Sequence, residues 1–489
     1  MIVEILGAKM LSPYFGTSHF VWTAQIAVTL VALAAGYYAG GWWVDRSPRL
    51  GRLYGAILVA GVYLALTVTM TRPVAYGLLK FSLPVGSLLT SMVLFFVPLC
   101  LLAMTGPFLI RVLTVSVSDV GGNVGRLTAL GTLGSLAGTL LIGYLIIPYL
   151  PNSVTMYLTA LLLMLLAGGH SLTYGRGLAG KLTPLAGVVA GVLAGYGGLA
   201  REHAAGEFSV ELFHGNSNFG LLQVIQEKNS SFRSYKNDYL TQNTYDTNEQ
   251  QSVSMFTYML HGLARAYTTN LNEVLCIGLG VGIVPMALAR EGVKVDVVEI
   301  NPAVVPVARD YFDLQPEKLK LFFGDGRYFL NQCAKQYDAV VLDAFLGDSC
   351  PSHLMTREAF SAVRRILKPE GTLVINTFGS FEPGADFLTA SLSKTLASVF
   401  TSVRIHAGRR GNTLFVASVR PELAIVHPPD FNGIHWYCVG EVKDAFASLR
   451  ETHPGHGIVL RDNFNPVDFY DAANREGHRK YMAEAMRNL

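Results

Sequence analysis

Three glycines at alternate positions follow a short apolar run and form a turn that could receive a ligand against the main chain. The run is VLCI, residues 274–277, and the glycines are Gly278, Gly280 and Gly282. Glycine adopts left-handed conformations and leaves room for a ligand close to the backbone. Glu299 ends the next apolar run, 19 residues after Gly280. A carboxylate at that spacing typically accepts hydrogen bonds from the hydroxyls of a ribose.

Two further carboxylates end the apolar runs that come next. Asp325 lies in the sequence GDG, which closes with Gly326, and Asp343 lies in VVLDAF. The ligands of open α/β sheets bind outside the carboxyl ends of the strands. We therefore expect Asp325, with Gly326 beside it, to accept a hydrogen bond from an adenine amino group. Asp343 is expected at the mouth of the pocket, where reactive groups lie. The pattern predicts a nucleoside pocket with three converging carboxylates.

A nicotinamide dinucleotide is the competing ligand for such a turn. Its fingerprint is G-x-G-x-x-G, with the pyrophosphate at the start of the following helix. Here the glycines follow G-x-G-x-G, and the next residues are Ile283, Val284 and Pro285. The spacing favours a nucleoside ligand without phosphates, such as an S-adenosyl sulfonium compound.

An alternation of strands and helices must position these residues. Apolar, β-branched runs separated by helical patterns predict a parallel sheet with helices on both faces, which is a Rossmann-like α/β fold. The predicted strands cover residues 273–279, 294–300, 319–326, 337–345, 371–378 and 412–418. We assign the core of this domain to residues 270–420, after a small β-hairpin lead-in at 216–250. A polar C-terminal extension covers residues 426–489.

The first 204 residues have the composition of an α-helical membrane protein. The chain is 51% hydrophobic and only 15% charged, and a bilayer core requires about 20 apolar residues per helix. Long stretches without charged residues predict about six spans in residues 21–44, 53–71, 81–110, 127–175, which holds two, and 182–200. The chain is thus divided into a multi-pass transmembrane helical bundle, residues 1–204, and an α/β domain, residues 205–489.

The orientation of the bundle stays open. Basic residues lie in the loops at 46–52, 111–126 and 176–181, and the positive-inside rule places such loops in the cytoplasm. Six spans would then leave residue 201 outside, whereas a domain that uses a nucleoside cofactor belongs more naturally in the cytosol. We expect a multi-pass protein of the inner cell membrane and favour a cytoplasmic catalytic domain on cofactor grounds.

Charge and cysteine usage limit the partners. Residues 205–489 contain 27 basic and 31 acidic residues, so they lack the basic excess that phosphate binding requires, and no nucleic-acid partner is expected. The five cysteines are isolated, and no Cys or His spacing predicts a metal site or a disulfide framework. The expected partners are the lipid bilayer and a small-molecule substrate, and a homodimer is left open.

These motifs together resemble the spermidine synthase family, a branch of the class I S-adenosylmethionine-dependent transferases. The resemblance covers about residues 216–420 and includes the glycine turn, VEINP, GDG, LDAF and LKPEGTLVINTF. The whole chain is similar to bacterial membrane proteins in which a multi-span region is fused to such a domain, through ILGAKMLSPYFGTS, GYYAGGWWVDR and GRLTALGTLGSLAGTLL. Members of the family transfer an aminopropyl group from decarboxylated S-adenosylmethionine to a polyamine such as putrescine.

The resemblance implies roles on the donor side of the pocket. Glu299 would hold the ribose and Asp325 the adenine, and Gln242 would border the donor. Asp343 would be the general base, because the attacking amine must lose a proton to a carboxylate within hydrogen-bond reach. No metal takes part.

It also implies residues on the acceptor side. Asp238 would border the amine, and Asp348 would supply an acid displaced by two residues from its usual place in the family. His353 lies in a segment that gates the substrates and could touch one of them. Equally, His353 could be a loop histidine that caps the following helix.

Two departures from the family pattern leave other functions open. Val281 stands where the family's turn usually carries an aspartate that binds the aminopropyl ammonium, and Tyr258 stands where a later glutamate is usual. A less anionic pocket suits S-adenosylmethionine itself, so a methyltransferase with an apolar or membrane-associated acceptor is the first alternative. A transporter or sensor that binds a polyamine or nucleoside without turnover is the second.

Overall fold

The structure is a computed structural model, and it describes residues 1–16, 19–175, 177–202, 208–238, 240–345, 351–408, 411–453 and 455–470. The chain divides into two compact units, Met1–Ala205 and Gly206–Leu489. The division falls where the composition changes from almost wholly apolar to mixed.

The described part of the N-terminal unit is entirely helical. Its long apolar runs lack the period-two alternation that would favour strands. Two π-helical turns, Met92–Phe96 and Leu141–Ile146, extend helices of this unit. The α-helices are α1 (Ile2–Phe15), α2 (His19–Arg46), α3 (Leu50–Leu78), α4 (Leu83–Ser91), α5 (Val97–Ala103), α6 (Thr105–Leu113), α7 (Val120–Leu140), α8 (Asn152–Tyr174) and α9 (Gly177–Glu202).

Five helical stretches among the described residues are long and apolar enough to cross a membrane, whereas the sequence predicted about six. The sixth candidate lies in α9, where only the shorter apolar stretch Pro184–Ala200 qualifies. Lys181 stands before that stretch, and charge at the start of the helix shortens its apolar run. The five long stretches are His19–Arg46, Leu50–Leu78, Leu83–Leu113, Val117–Ile146 and Asn152–Tyr174.

An antiparallel sheet opens the C-terminal unit, and it is larger than the hairpin predicted at 216–250. Its five strands pair in sequence order. The prediction began too late because the first strand, SVELFHGNS, has mixed polarity and no clear alternation. The strands are β1 (Ser209–Ser217), β2 (Gly220–Glu227), β3 (Phe232–Asn237), β4 (Leu240–Asp246) and β5 (Gln251–Ser252).

The second sheet has seven strands in the order β11-β12-β10-β9-β6-β7-β8. Five adjacent strands pair in parallel, and β12, which pairs antiparallel with both β10 and β11, is the one reversed strand among those described. The predicted Rossmann-like α/β architecture is confirmed, although β11 was missed because its sequence, SVRIHA, is short and half polar. The strands are β6 (Glu273–Ile277), β7 (Lys294–Glu299), β8 (Lys320–Phe323), β9 (Tyr337–Leu342), β10 (Leu367–Phe378), β11 (Ser402–Ala407) and β12 (Asn412–Ser418).

Helices cover both faces of this sheet, and alternate side chains of each strand enter different cores. Val274 and Cys276 of β6 pack in one apolar cluster, while Leu275 and Ile277 pack in the other. This period-two burial on both faces explains why the strands are continuous apolar runs. The helices are α10 (Met255–Tyr267), α11 (Ile283–Arg290), α12 (Val304–Phe312), α13 (Gly326–Gln332), α14 (Arg357–Ile366), α15 (Phe387–Ala397), α16 (Val439–Ala447) and α17 (Val467–Tyr470).

The C-terminal extension packs back onto this unit. Phe446 of α16 joins the core that contains α10, and the buried His435 lies 3.1 Å from a carboxylate oxygen of Asp246, at the end of β4. The extension therefore braces the first sheet against the second.

Candidate active site

The glycine turn brings the end of β6 against the end of β9. Gly278 has φ 99°, and a Cβ added there would lie 2.1 Å from the carbonyl oxygen of Asp343. Only glycine fits this approach, which the Asp343 N–H reinforces by donating to the Ile277 carbonyl at 2.9 Å. Gly280 has φ 54° and faces open space, whereas Gly282 begins α11 in the left-handed conformation. The turn thus has an open backbone face at Gly280.

Glu299 ends β7 and is nearly enclosed, at 8% exposure. One carboxylate oxygen accepts from the Leu279 N–H at 2.9 Å, and the other accepts from the Asn301 N–H at 2.8 Å. Burial raises the pKa of Glu299, and these backbone hydrogen bonds oppose the rise. A third backbone hydrogen bond comes from Ile300. Since the two oxygens together offer about four acceptor sites, the carboxylate can shape the glycine turn and still accept from a ligand hydroxyl.

Asp325 follows β8 and caps α13. Its Oδ1 accepts from the Tyr328 N–H at 2.9 Å, and its Oδ2 lies 2.9 Å from Nε2 of His353. Partial burial opposes ionisation, but these hydrogen bonds outweigh it and lower the pKa of Asp325. Gly326 lets α13 come close to β6, since a Cβ there would lie 2.6 Å from the Ile277 side chain.

Asp343 follows β9, and its pKa lies closer to neutrality than that of an ordinary aspartate. Burial raises its pKa to about 6, and a hydrogen bond from Asn376 opposes the rise. The Asn376 amide donates to Oδ1 at 2.9 Å, and the Asn412 amide donates in turn to the Asn376 oxygen at 3.1 Å. Sequence reasoning missed both asparagines, although a polar residue within the apolar strand TLVINTF was a usable signal.

The strand order places the three carboxylates at one edge of the sheet. β9, β6, β7 and β8 are consecutive neighbours, and Asp343, Glu299 and Asp325 stand at or just beyond the carboxyl ends of three of them. Glu299 contacts the glycine turn through Leu279, and Asp343 contacts it through Gly278. The arrangement can bind a small polar ligand over the turn and offer it a base.

The remaining predicted residues are less closely tied to this edge. Asp238 stands in the turn between β3 and β4, with φ 47°, and accepts from the Leu221 N–H at 2.9 Å. Burial first, and then the charges of Glu299 and Asp238, raise the pKa of Tyr235, so both acids lie near that ring. Gln242 is half-buried on β4, with its amide 3.5 Å from the Leu240 carbonyl. Asp348 lies outside the described residues.

The pocket carries no acid at the two positions where the family pattern has one. Val281 is 3% exposed and belongs to the apolar core. The hydroxyl of Tyr258 is engaged with the Ser252 carbonyl at 2.7 Å. Within the part of the chain that is described, no group of three His, Cys, Asp or Glu side chains could hold a metal ion.

The C-terminal unit matches a known domain family. Residues 254–405 match the spermine/spermidine synthase domain. The polyamine aminopropyltransferase of Vibrio vulnificus is 40% identical over 114 residues, which are 22% of this chain and 38% of that protein. The N-terminal histidine N-methyltransferase of Emericella nidulans is 34% identical over 183 residues, which are 36% of this chain and 29% of that protein.

A solved spermidine synthase from Thermotoga maritima is 20% identical, with a TM-score of 0.37, over 43% of this chain and 74% of that one. Of the two relatives compared by sequence, the proteins from Vibrio vulnificus and Emericella nidulans, this chain covers well under half the length. The family match identifies a spermidine synthase-like transferase domain in the C-terminal unit.

Proposed function

We propose that the C-terminal unit transfers an aminopropyl group from decarboxylated S-adenosylmethionine to a polyamine such as putrescine. The amine nitrogen attacks the carbon bound to the sulfonium, the C–S bond breaks, and its electron pair returns to sulfur. The products are 5′-methylthioadenosine, a secondary ammonium and one proton. The support comes from the domain match together with the three carboxylates at the edge of the sheet.

The raised pKa of Asp343 and its position at the glycine turn are the observation on which this proposal rests. A general base must be unprotonated at the working pH and basic enough to accept the proton. A carboxyl whose pKa is about 6 meets both demands near neutrality, whereas an ordinary aspartate is a much weaker base. Its backbone contact with Gly278 places it beside the turn over which the donor would bind.

The donor's nucleoside would lie across the same edge. Glu299 would accept from the ribose hydroxyls, and Asp325 would accept from the adenine amino group. Glycine at 280 leaves the backbone open to the ligand. Gln242, Asp238 and Asp348 are proposed at the border of the two substrates on the family resemblance alone.

The N-terminal unit is proposed to anchor the enzyme in the inner cell membrane. Its five long apolar helices support a multi-pass arrangement. A cytoplasmic catalytic unit fits a substrate pair made in the cytosol. Accessibility labelling of a cysteine introduced at the exposed Glu317 (Glu317→Cys) on intact cells would show on which side the unit lies.

A methyltransferase is the second candidate, and Val281 is the residue that favours it. Val281 gives the donor's ammonium no anionic partner in the turn, and a charge-assisted hydrogen bond contributes about 1.5–3 kcal/mol. The relative in Emericella nidulans shows that an N-methyltransferase can share this much sequence. S-adenosylmethionine would then be the donor, with an apolar or membrane-associated acceptor.

The decisive experiment offers the purified full chain both donors. Isothermal titration compares S-adenosylmethionine with its decarboxylated form, and mass spectrometry follows putrescine in the same samples. Tighter binding of the decarboxylated donor, with a mass gain equal to one aminopropyl group on putrescine, is expected. Preference for S-adenosylmethionine would favour the methyltransferase function instead. Binding of either donor without turnover on any amine would favour a binding protein.

A further inference from the structure

Asp325 and His353 form a polar pair at the rim of the candidate site, and the transfer chemistry does not use it. Oδ2 of Asp325 and Nε2 of His353 are 2.9 Å apart. The two side chains remain open to solvent, at 37% and 49% exposure. Asp325 is nevertheless fixed, because its other oxygen caps α13 at Tyr328. A ligand can therefore reach a pair whose acidic member is already oriented.

The direction of the hydrogen bond within the pair follows from the chemistry of its members. An ionised carboxylate accepts hydrogen bonds and cannot donate them, and hydrogen bonding holds the pKa of Asp325 below its usual range. Nε2 of His353 must therefore carry the proton in this contact, whether the ring is neutral or charged. The pair presents a hydrogen-bond acceptor directly beside a donor.

The turn that carries His353 is fastened by other residues. Arg327 donates to the His353 carbonyl at 3.4 Å and to the Thr356 hydroxyl at 3.1 Å, and it pairs with Asp462 at 2.8 Å. Thr356 donates to Asp462 at 2.6 Å and caps α14. Since the main chain is held in this way, the imidazole is not needed to keep the turn in place.

We propose that His353 and Asp325 together read the edge of the donor's nucleobase and select adenine. Asp325 accepts from the 6-amino group, and the N–H of His353 turns from the carboxylate to the ring nitrogen N1. Adenine presents a donor beside an acceptor on this edge, whereas hypoxanthine presents an acceptor beside a donor. An inosine nucleoside would place its O6 against the carboxylate of Asp325 and its N1–H against the N–H of His353, and both contacts are repulsive. His353 is therefore a specificity-determining residue. This inference rests on the proposed function, because it concerns the base of the same nucleoside.

The test compares 5′-methylthioadenosine with 5′-methylthioinosine on the full chain in detergent. Both ligands lack the transferred group, so the result does not depend on which group the enzyme moves. We expect the wild type to prefer the adenosine compound by about 100-fold or more, since sites built to hydrogen-bond a substrate reject analogues strongly. His353→Phe should reduce this ratio by about tenfold, and His353→Gln, which keeps a donor, should restore part of it.

Two controls separate recognition from folding. Arg327→Gln loosens the turn without touching the base edge, so affinities fall for both nucleosides while their ratio stays. A 1-deaza analogue of 5′-methylthioadenosine, in which N1 becomes C–H, should bind the wild type about tenfold more weakly than its parent and bind His353→Phe equally well.

The outcomes distinguish failure of the role of His353 from failure of the nucleoside site. If both nucleosides bind and His353→Phe leaves the base ratio and the deaza effect unchanged, the role of His353 is overturned and the nucleoside site stands. If neither nucleoside binds the wild type, the proposed function falls together with this inference.

Discussion

Replacement of Asp343 by asparagine separates the catalytic and the structural consequences of its environment. The amide has almost the same shape and can still accept the hydrogen bond from Asn376, but it cannot take a proton. Turnover should fall by roughly 10²–10⁴-fold, the range expected for loss of a general base. Affinity for 5′-methylthioadenosine should hardly change.

The same change should stabilise the C-terminal unit at neutral pH. The pKa of Asp343 is about 6 in the folded protein, compared with 3.8 for an aspartate free of the fold. The folded state therefore binds more protons than the unfolded state at pH values between these two. Stability from this group is therefore lost as pH rises from about 4 to about 6, and the loss is complete above 6. The shift corresponds to at most about 3 kcal/mol, and since the residue is half-buried we expect about 1–3 kcal/mol.

The assay is thermal unfolding of the full chain at pH 4.5 and 7.5, followed by differential scanning calorimetry. For a unit of this size 1 kcal/mol corresponds to about 2–4 °C, so the asparagine variant should melt roughly 2–10 °C higher than wild type at pH 7.5 and nearly equally at pH 4.5. The rate of the wild type should rise with pH through about 6. A variant that melts lower at pH 7.5, or a difference independent of pH, would refute the buried-carboxylate reasoning.

Four further perturbations test separate parts of the molecule. Glu299→Gln should weaken binding of 5′-methylthioadenosine about tenfold or more in calorimetry, because hydrogen bonds to a charged group contribute about 1.5–3 kcal/mol; unchanged affinity would remove Glu299 from the ribose site. Asn376→Leu should move the midpoint of the pH–rate profile above that of the wild type, because the hydrogen bond from Asn376 lowers the pKa of Asp343, and a midpoint that stays or falls would contradict this. Gly278→Ala should yield little folded protein on size exclusion, since its Cβ would lie 2.1 Å from a carbonyl oxygen; a well-folded variant with normal donor affinity would show that the two strand ends are not in contact. Gln25→Leu should raise the melting temperature of the N-terminal unit, because both amide atoms of Gln25 are buried without a partner among the described residues and such groups are destabilising by about 1–3 kcal/mol; a lower melting temperature would mean that the amide is satisfied in the bilayer.

Local pattern was sufficient to predict the elements that carry the carboxylates. The continuous apolar runs of β6, β7 and β9 are buried on both faces, and that burial is what makes such runs recognisable. Glu299 and Asp343 could be placed because an acid just after a buried strand lies at the edge of the sheet. The strand β11 and the first strand of the unit were missed because their sequences, SVRIHA and SVELFHGNS, are of mixed polarity and lack a continuous apolar run.

The partners of the carboxylates could not be predicted in this way. Asp325 meets His353 across 28 residues of chain, and the contact depends on how the Ser352–Leu354 turn is fastened by Arg327. No spacing rule connects two loops whose approach is decided by a third side chain. The sequence therefore suggested only that His353 could touch a substrate. The structure adds that its N–H lies beside the Asp325 carboxylate, so that a donor and an acceptor are adjacent.

The pair formed by Asp343 and Asn376 shows why pKa values at this edge depend on strand register. Parallel pairing of β9 with β10 sets Leu342 opposite Ile375, so the next residues, Asp343 and Asn376, fall side by side on the same face. A shift of one residue would turn the amide to the opposite face of the sheet and remove the hydrogen bond from Asn376 that counters burial of the carboxylate. The pKa of Asp343 would then rise above about 6, and the base would be protonated over more of the neutral range. The register of two strands thus sets the proton affinity on which the proposed transfer depends.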